Sequence, residues 1–384
     1  MSEWKEYRLG DLGTVITGKT PSAHNPEDWG DNMLFITPSD YRNYRKYATN
    51  SERKLSKVGM DRLEKKILPA NSILVTCIGS DMGKVVINGE QCVTNQQINA
   101  IVPNTSVNND FLYYRLISIY DTLRMYGGDG TAVPIVNKND FENIKIEIPQ
   151  LDEQKRIASI LSSLDDKIDL LNRENATLEA MAETLFRQWF IEDAKEDWEE
   201  KPLSSIATFL NGLACQKYPP KNEIEKLPVL KIRELTNGIG ADSDWATTDV
   251  DEEYIVQSGD VIFAWSASLM VKIWDGEDCI LNQHLFKVTS TTYPKWFYYL
   301  WCKHHLNEFI AIAQSHATTM GHIKRNDLDT AMVLVPSPDE LKILSETMEP
   351  IFSKLKNNNY QLVSLRTQRD ILLPKLMSNE ISIK

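Results

Sequence analysis

The chain has 384 residues, 42 basic against 54 acidic side chains (formal net charge −12) and 42% hydrophobic positions. That length supports two or three domains of about 150 residues, and a charged fraction of 25% with ordinary Gly and Pro counts excludes a disordered, collagen-like or disulfide-dense chain. The longest apolar stretch, 261–271, is broken by serines and falls short of the roughly 18 residues that a spanning helix needs; MSEWKEYRLG lacks an apolar signal-peptide region, and five scattered cysteines (Cys77, Cys92, Cys215, Cys279, Cys302) fit a reducing, cytoplasmic setting.

Taken in chain order, the sequence contains itself twice. Trp4, Leu9, Leu12, Thr14 and Gly18 recur 194 residues later as Trp198, Leu203, Ile206, Thr208 and Gly212. Gly89, Cys92, Asn95 and Gln96 recur 187 residues later as Gly276, Cys279, Asn282 and Gln283. The series continues through Tyr113-Tyr114 with Tyr298-Tyr299, Thr131 with Thr318, Asn139-Asp140 with Asn326-Asp327, and Pro149 with Pro336. Residues 1–150 and 196–336 carry short β-branched runs (73–75, 85–87, 144–148, 261–263) broken by Gly, Asn and Pro, which predict strands and turns in mixed α/β domains.

Residues 151–195 and 337–384 differ from these, and their helical runs lack glycine through residue 378. In the first, Ile157, Leu161, Leu164, Ile168, Leu171, Asn175, Leu178, Ala182, Leu185 and Trp189 alternate spacings of four and three; in the second, Leu344, Met348, Ile351, Leu355, Asn358, Leu362, Leu365, Arg369, Leu372 and Leu376 do the same. Both read as coiled-coil seams, each needing a partner helix, with Asn175, Asn358 and Arg369 as polar register-setters. A seam of this length spans on the order of 50 Å. The alternative is two amphipathic helices packed on their own domains. A duplicated globular-helix-globular-helix chain implies a pseudo-two-fold axis and antiparallel helices, with the globular copies at opposite ends of a rigid spacer and the termini near each other.

The charge divides as −1 for 1–150, −4 for 151–195, −8 for 196–336 and +1 for 337–384. No segment is basic enough to hold DNA by phosphate neutralisation alone. The exception is local: residues 40–66 hold nine basic side chains, with Tyr41, Tyr44 and Tyr47 interleaved, a composition that suits backbone tracking or a solvated face. No phosphate loop, dinucleotide fingerprint, base-methylation motif or nucleophile elbow occurs. The nuclease-like string at 338–342 is better explained by acidic residues at a positive helix end, and Cys302, His304 and His305 lack a second ligand pair for zinc. These residues point to binding and leave open a scaffold that holds two partners or a stand-alone nuclease.

The run LDEQKRIASILSSLDDKIDLLNRENATLEAMAETLFRQWF strongly resembles the central conserved region of the specificity (S) subunit of Type I restriction-modification systems, and LLPKLMSNEI resembles its distal conserved segment. The openings WKEYRLGDLGTVITGKTPS and WEEKPLSSIATFLNG, with GTAVPIVNKNDF and ATTMGHIKRNDL, resemble the starts and late segments of that family's two target recognition domains. The second opening departs from the pattern, with Leu213-Ala214-Cys215-Gln216 after Gly212. The resemblance implies an α/β (α+β) fold: target recognition domains at 1–150 and 196–336, and antiparallel coiled-coil helices at 151–195 and 337–384. It implies a non-catalytic reader of double-stranded DNA with an asymmetric bipartite target, one half-site per domain and a gap set by the helical spacer. Implied partners are two methyltransferase (M) subunits and two restriction/translocase (R) subunits, which would carry S-adenosylmethionine, ATP and Mg; no metal or cofactor is expected in this chain.

The loops that resemble the family's DNA-facing ones nominate Lys19, Thr20, Ser22, Ser39, Tyr41, Arg42, Lys84, Gln96, Gln97, Thr131 and Lys138 in the first domain. In the second they nominate Lys217, Arg233, Ser268, Lys272, Gln283, His284, Thr318, His322 and Lys324. Lysines suit phosphates, and amides suit bidentate pairing with adenine. Tyr113-Tyr114 and Tyr298-Tyr299 are expected in the core, and Arg173, Glu174 and Arg187 on outward helix faces that pack against a partner's helices.

Overall fold

The computed structural model describes residues 4–43, 46–79, 81–126, 135–240, 242–315 and 321–381, without the side chains of residues 42 and 43. It has two compact units, Met1–Asp169 with Arg366–Lys384, and Leu170–Leu365. Each unit therefore contains one globular copy and a length of both long helices.

In the first unit an antiparallel ribbon, Lys5–Arg8 on Lys145–Ile148, ties the start of the globular copy to its end. A five-stranded sheet follows the order Gly13–Thr17, Ile98–Pro103, Ile73–Thr76, Val85–Asn88, Tyr47–Ala48; a three-stranded sheet follows Arg53–Leu55, Trp29–Ile36, Cys92–Thr94. The second unit repeats the plan. Glu199–Pro202 pairs with Met332–Val335, one sheet runs Thr208–Asn211, Leu285–Thr289, Val261–Ala264, Met270–Ile273, and the other runs Trp245–Thr247, Lys226–Leu230, Cys279–Leu281, Ile255–Val256. Even the one parallel step inside the second sheet of each unit recurs, Leu34 to Ile36 on Cys92 to Thr94 and Val229 to Leu230 on Ile280 to Leu281. The runs 73–75, 85–87 and 261–263 fall within these ladders and are buried on both faces, where stiff, branched side chains are favoured, while Lys145–Ile148 alternates exposed and buried residues in its two-stranded ribbon.

The first long helix covers Leu151–Arg187 and ends in a π-helical turn, Gln188–Glu192; the second covers Pro338–Met377. The second begins in a capping box: Glu340 N donates to Ser337 Oγ (3.4 Å), and Ser337 N donates to Glu340 Oε2 (3.2 Å). Lys195 (2.5 Å), then Ser337, hold the Glu340 carboxyl down at about 2. The acidic string at 338–342 is thus helix-capping chemistry.

Every seam position is buried or half-buried. The polar members find one another. In the first unit Arg369 Nη1 donates to Asp165 Oδ1 at 3.2 Å; in the second, Asn358 Nδ2 donates to Asn175 Oδ1 at 2.9 Å and Asn175 Nδ2 to Asn359 Oδ1 at 2.8 Å. Within the first unit Asp165 meets Arg369 while Ile157 and Leu161 share a core with Leu372 and Leu376, so the two helix lengths there run antiparallel. The seams also do what the alternative reading assigned them. Ile157, Leu161 and Leu376 join the core of the first globular copy, and Ala182, Met348, Ile351 and Leu355 that of the second.

Polar contacts lock each globular copy to its helices. In the first unit Lys46, with a side chain only 5% exposed, meets Asp110 (2.8 Å) and Ser162 (2.7 Å) and lies 5.0 Å from the Tyr114 ring centre, while Tyr114 donates its hydroxyl to Asp165 (2.7 Å). In the second unit the equivalent Tyr299 packs on Phe352, and Lys303 over its ring pairs with Glu179 and Glu183. Tyr113-Tyr114 and Tyr298-Tyr299 are indeed core residues.

Asp110→Ala strands the Lys46 ammonium in the interior and is expected to cost on the order of 3 kcal/mol in urea unfolding. Lys46→Met, which removes the buried charge itself, should cost clearly less.

Candidate nucleic-acid interface

The candidate loops of the first unit meet at one end of its sheets. Thr17 pairs with Asn99, Thr76 with Ile98 and Ile36 with Thr94, so the segments leaving Thr17, Ile36, Thr76 and Thr94 emerge together. Gly18 makes this possible. A Cβ there would lie 2.1 Å from the Asn95 carbonyl oxygen and 2.3 Å from that of Thr94, so no other residue fits without backbone movement. Asn95 then folds the turn: its N–H bonds Ile36 O (3.1 Å), its Oδ1 accepts from Gln97 N (3.1 Å), and its carbonyl accepts from Ile98 N (3.2 Å). The tip of that turn is the exposed Gln96, whose Oε1 accepts from the Thr20 hydroxyl at 2.6 Å. Behind it Gln97 Oε1 accepts from Asn95 Nδ2 at 2.8 Å, and Cys77 N donates to Gln97 O at 2.7 Å. Burial pushes the Cys77 thiol up to about 12, so it stays protonated.

The second unit rebuilds this frame bond for bond. A Cβ on Gly212 would lie 2.3 Å from Asn282 O. Asn282 N bonds Leu230 O (3.2 Å), its Oδ1 accepts from His284 N (3.3 Å), and its carbonyl accepts from Leu285 N (2.9 Å). Trp265 N donates to His284 O and Ile323 N to Trp265 O, as Val136 N does to Cys77 O in the first copy. At matching places the chain is left-handed, Gly79 with φ 91° and Ala267 with φ 57°. For an alanine that conformation is strained, of order 1 kcal/mol, and such strain concentrates at functional loops.

The side chains on the second frame are different. Trp265 stacks on Phe286, donates its indole N–H to Asn211 Oδ1 (3.1 Å), and is flanked by the His284 and His322 rings at 5.9 and 6.2 Å. His284 Nδ1 sits 3.1 Å from the buried Ser266 hydroxyl and its Nε2 3.3 Å from Gln283 Nε2.

The nominated residues fare unequally. Lys19, Thr20, Ser22, Ser39, Gln96 and Gln97 are gathered in the first unit's loop cluster, and Ser268, Gln283, His284 and His322 in the second's. Lys217 and Lys324 are exposed at the ends of neighbouring turns. Four cations are engaged by carboxylates: Lys84 with Asp81 (2.6 Å), Lys138 with Glu142 (3.4 Å), Arg233 with Glu234 (2.6 Å) and Lys272 with Asp275 (2.9 Å). Tyr41 is corrected: it is buried in the core with Leu34, Ile36 and Leu74 rather than exposed on a loop. Glu174 is corrected too, since it binds Asn358 (3.0 Å) and Lys354 (3.2 Å) on the other helix rather than facing outward. Thr131, Thr318 and the side chain of Arg42 lie outside the described residues.

The basic run at 40–66 is not one surface. Lys46 is buried, Arg62 is taken by Glu27 and Asp28, Lys66 donates to Thr17 O (2.9 Å), and Arg53 stacks on Trp29. Among the described residues no cluster of three His, Cys, Asp or Glu is placed to hold a metal, and no helix is long and apolar enough to cross a membrane.

This duplicated frame has known counterparts. The sequence pattern of the Type I restriction modification DNA specificity domain matches residues 1–180 and again 195–365. The chain belongs to the Type I restriction-modification specificity subunits. The Type I restriction enzyme MjaIX specificity subunit of Methanocaldococcus jannaschii is 26% identical over all of this chain and 94% of its own. The HindI specificity subunit of Haemophilus influenzae is 37% identical over 41% of this chain and 35% of its own. The crystal structure of a Type I S subunit from M. genitalium superposes with a TM-score of 0.59 over 98% of this chain and 96% of that one at 15% identity, a likeness of fold.

In this specificity subunit, sequence reading missed Trp265, Ser266 and Asn211, which assemble only when two separate strand ends meet. The turn-forming role of Asn95 and Asn282 was within reach, because both stand in the repeat. Asn282→Ala removes the acceptor of the His284 N–H and is expected to cost about 1 to 2 kcal/mol. Amide hydrogen exchange should accelerate at His284 while the helix Lys295–His304 keeps its protection; unchanged exchange at His284 would contradict this account of the turn.

Proposed function

We propose that the two recognition domains read two unlike half-sites of an asymmetric, split DNA target, and that the long helices set the gap between them. The observation that carries this reading is one backbone frame bearing two chemistries. Thr17, Gln97 and Asn99 in the first copy stand where Asn211, His284 and Phe286 stand in the second. Base edges are distinguished by such donor, acceptor and apolar groups, so the same frame with different side chains selects different bases. The polar pairs on the seams, Asp165 with Arg369 and Asn175 with Asn358, support a spacer of fixed register.

The chain itself performs no catalysis in this proposal. Two methyltransferase subunits bring S-adenosylmethionine to the target, and two restriction/translocase subunits bring ATP and Mg. Engagement of Lys84, Lys138, Arg233 and Lys272 by carboxylates supports a division of labour in which partner subunits supply much of the phosphate contact.

Single-molecule mapping of methylated adenines in cells that express this chain with its methyltransferase tests the proposal. A split, asymmetric motif that disappears when the chain is omitted is the expected result. A motif that persists without the chain, with complex formation verified, overturns it.

A further inference from the structure

We infer that Gln96 and Gln283 are the equivalent base-reading residues of the two domains, each addressing an adenine, and that Thr20 and the His284–Ser266 pair are positioning residues that set which way each amide faces. This rests on the recognition reading above and goes further, to named atoms.

The two glutamines occupy one place in the repeat, the tip of the turn that Asn95 or Asn282 folds. Their main chain is held on both sides: residues 95 and 282 bond the carbonyls of Ile36 and Leu230, and residues 97 and 284 bond the preceding asparagine side chain. What remains free is rotation of the amide, which exchanges its oxygen and nitrogen. A glutamine that rotates freely offers either polarity and discriminates little; one held in a single polarity offers an acceptor and a donor in fixed order, the pattern that matches adenine N6–H and N7.

Each glutamine has a device that removes this freedom, and the two devices differ. In the first domain the contact from Thr20 to Gln96 Oε1 is 2.6 Å, a length proper to O–H···O and shorter than N–H···O bonds run. The hydroxyl therefore selects the oxygen. In the second domain Gln283 Nε2 faces His284 Nε2 at 3.3 Å. With the amide nitrogen on that side Gln283 donates to His284 Nε2, and Nδ1 then bonds the Ser266 hydroxyl at 3.1 Å. Ser266 is buried, and Trp265 lies beside the imidazole. After these bonds each glutamine keeps an Oε1 lone pair and at least one N–H, the two groups that a bidentate adenine contact requires. Gln97 differs in position: it lies half-buried behind the tip, with its Oε1 accepting from Asn95 Nδ2.

The test is methylation mapping in cells expressing the chain, or a variant, with its methyltransferase. Wild type must give a split motif that depends on the chain; if it does not, the recognition reading fails in that arm and this inference falls with it. Given that motif, Gln96→Ala is expected to relax one adenine-bearing position in one half-site, with discrimination there falling roughly 5- to 150-fold and the other half-site unchanged. Gln283→Ala should do the same in the other half-site. Thr20→Val should relax the position that Gln96→Ala relaxes, and His284→Phe and Ser266→Ala the position that Gln283→Ala relaxes. Wild-type motifs in both alanine variants, or a uniform loss across all positions, overturn the inference. Gln96→Glu and Gln283→Glu, nearly isosteric, guard against a folding defect. In chains that melt as wild type does, a shift from adenine towards cytosine at those positions supports the assignment, and a retained adenine overturns it.

Discussion

The approach of one backbone to another at Gly18, repeated at Gly212, is the constraint on which the rest of each domain depends. It lets a strand end and an asparagine-folded turn share a space too small for any Cβ. From that contact the loops after Thr17, Ile36, Thr76 and Thr94, and their second-copy equivalents, are brought to one end of the sheets. Buried polar groups are mostly hydrogen-bonded, and Asn95 and Asn282 each supply several such bonds at once. The same backbone bonds recur in both copies while the side chains mounted on them differ.

Divergence is visible in the chemistry. The first copy mounts hydroxyls and amides: Thr17 on Asn99, Thr20 on Gln96, Asn95 on Gln97. The second mounts rings: Trp265 on Phe286, with His284 and His322 beside it. Amides discriminate by fixed donor and acceptor order, whereas rings contribute apolar contact and stacking. Left-handed backbone at position 79 is carried by glycine in the first copy, but Ala267 carries it in the second, so the second frame retains a conformation that its residue disfavours. A strained alanine kept at that place is consistent with a loop whose shape is set by its neighbours in space rather than by local preference.

Much of this was legible in the sequence, and what was not has identifiable physical causes. The repeat and the seam spacing reported duplication and paired helices, because both are periodic signals that survive substitution. The polar intrusions Asn175, Asn358 and Arg369 stand out in the sequence as cross-helix residues, and they are. Glu174 was misplaced because a residue flanking the seam can turn inward when a buried asparagine and a lysine on the facing helix offer partners. Lys46 and Tyr41 looked like surface groups in a basic, tyrosine-rich run, yet one is enclosed with Asp110 and Ser162 and the other is core. Composition records how many charges a segment has, not which of them the fold uses internally. Trp265 carried no sequence signal at all, since its partners Asn211, His284 and His322 come from three other segments.

That internal pairing also bears on how a chain of net charge −12 can recognise a polyanion. Binding by phosphate contact gains from released counterions and is indifferent to base sequence. A reader that relied on it would hold all DNA tightly and discriminate poorly between sites, because specificity is a difference between affinities. In this chain Lys84, Lys138, Arg233 and Lys272 are matched with nearby carboxylates, while Gln96 and Gln283 at the turn tips are amides that meet a hydroxyl and an imidazole. Neutral groups contribute little to non-specific attraction and much to the penalty for a wrong base, since a misplaced donor or acceptor loses its partner in a desolvated groove. An acidic net charge therefore suits a specificity subunit, because the weaker its own hold on phosphates, the larger the share of total binding that depends on the correct bases.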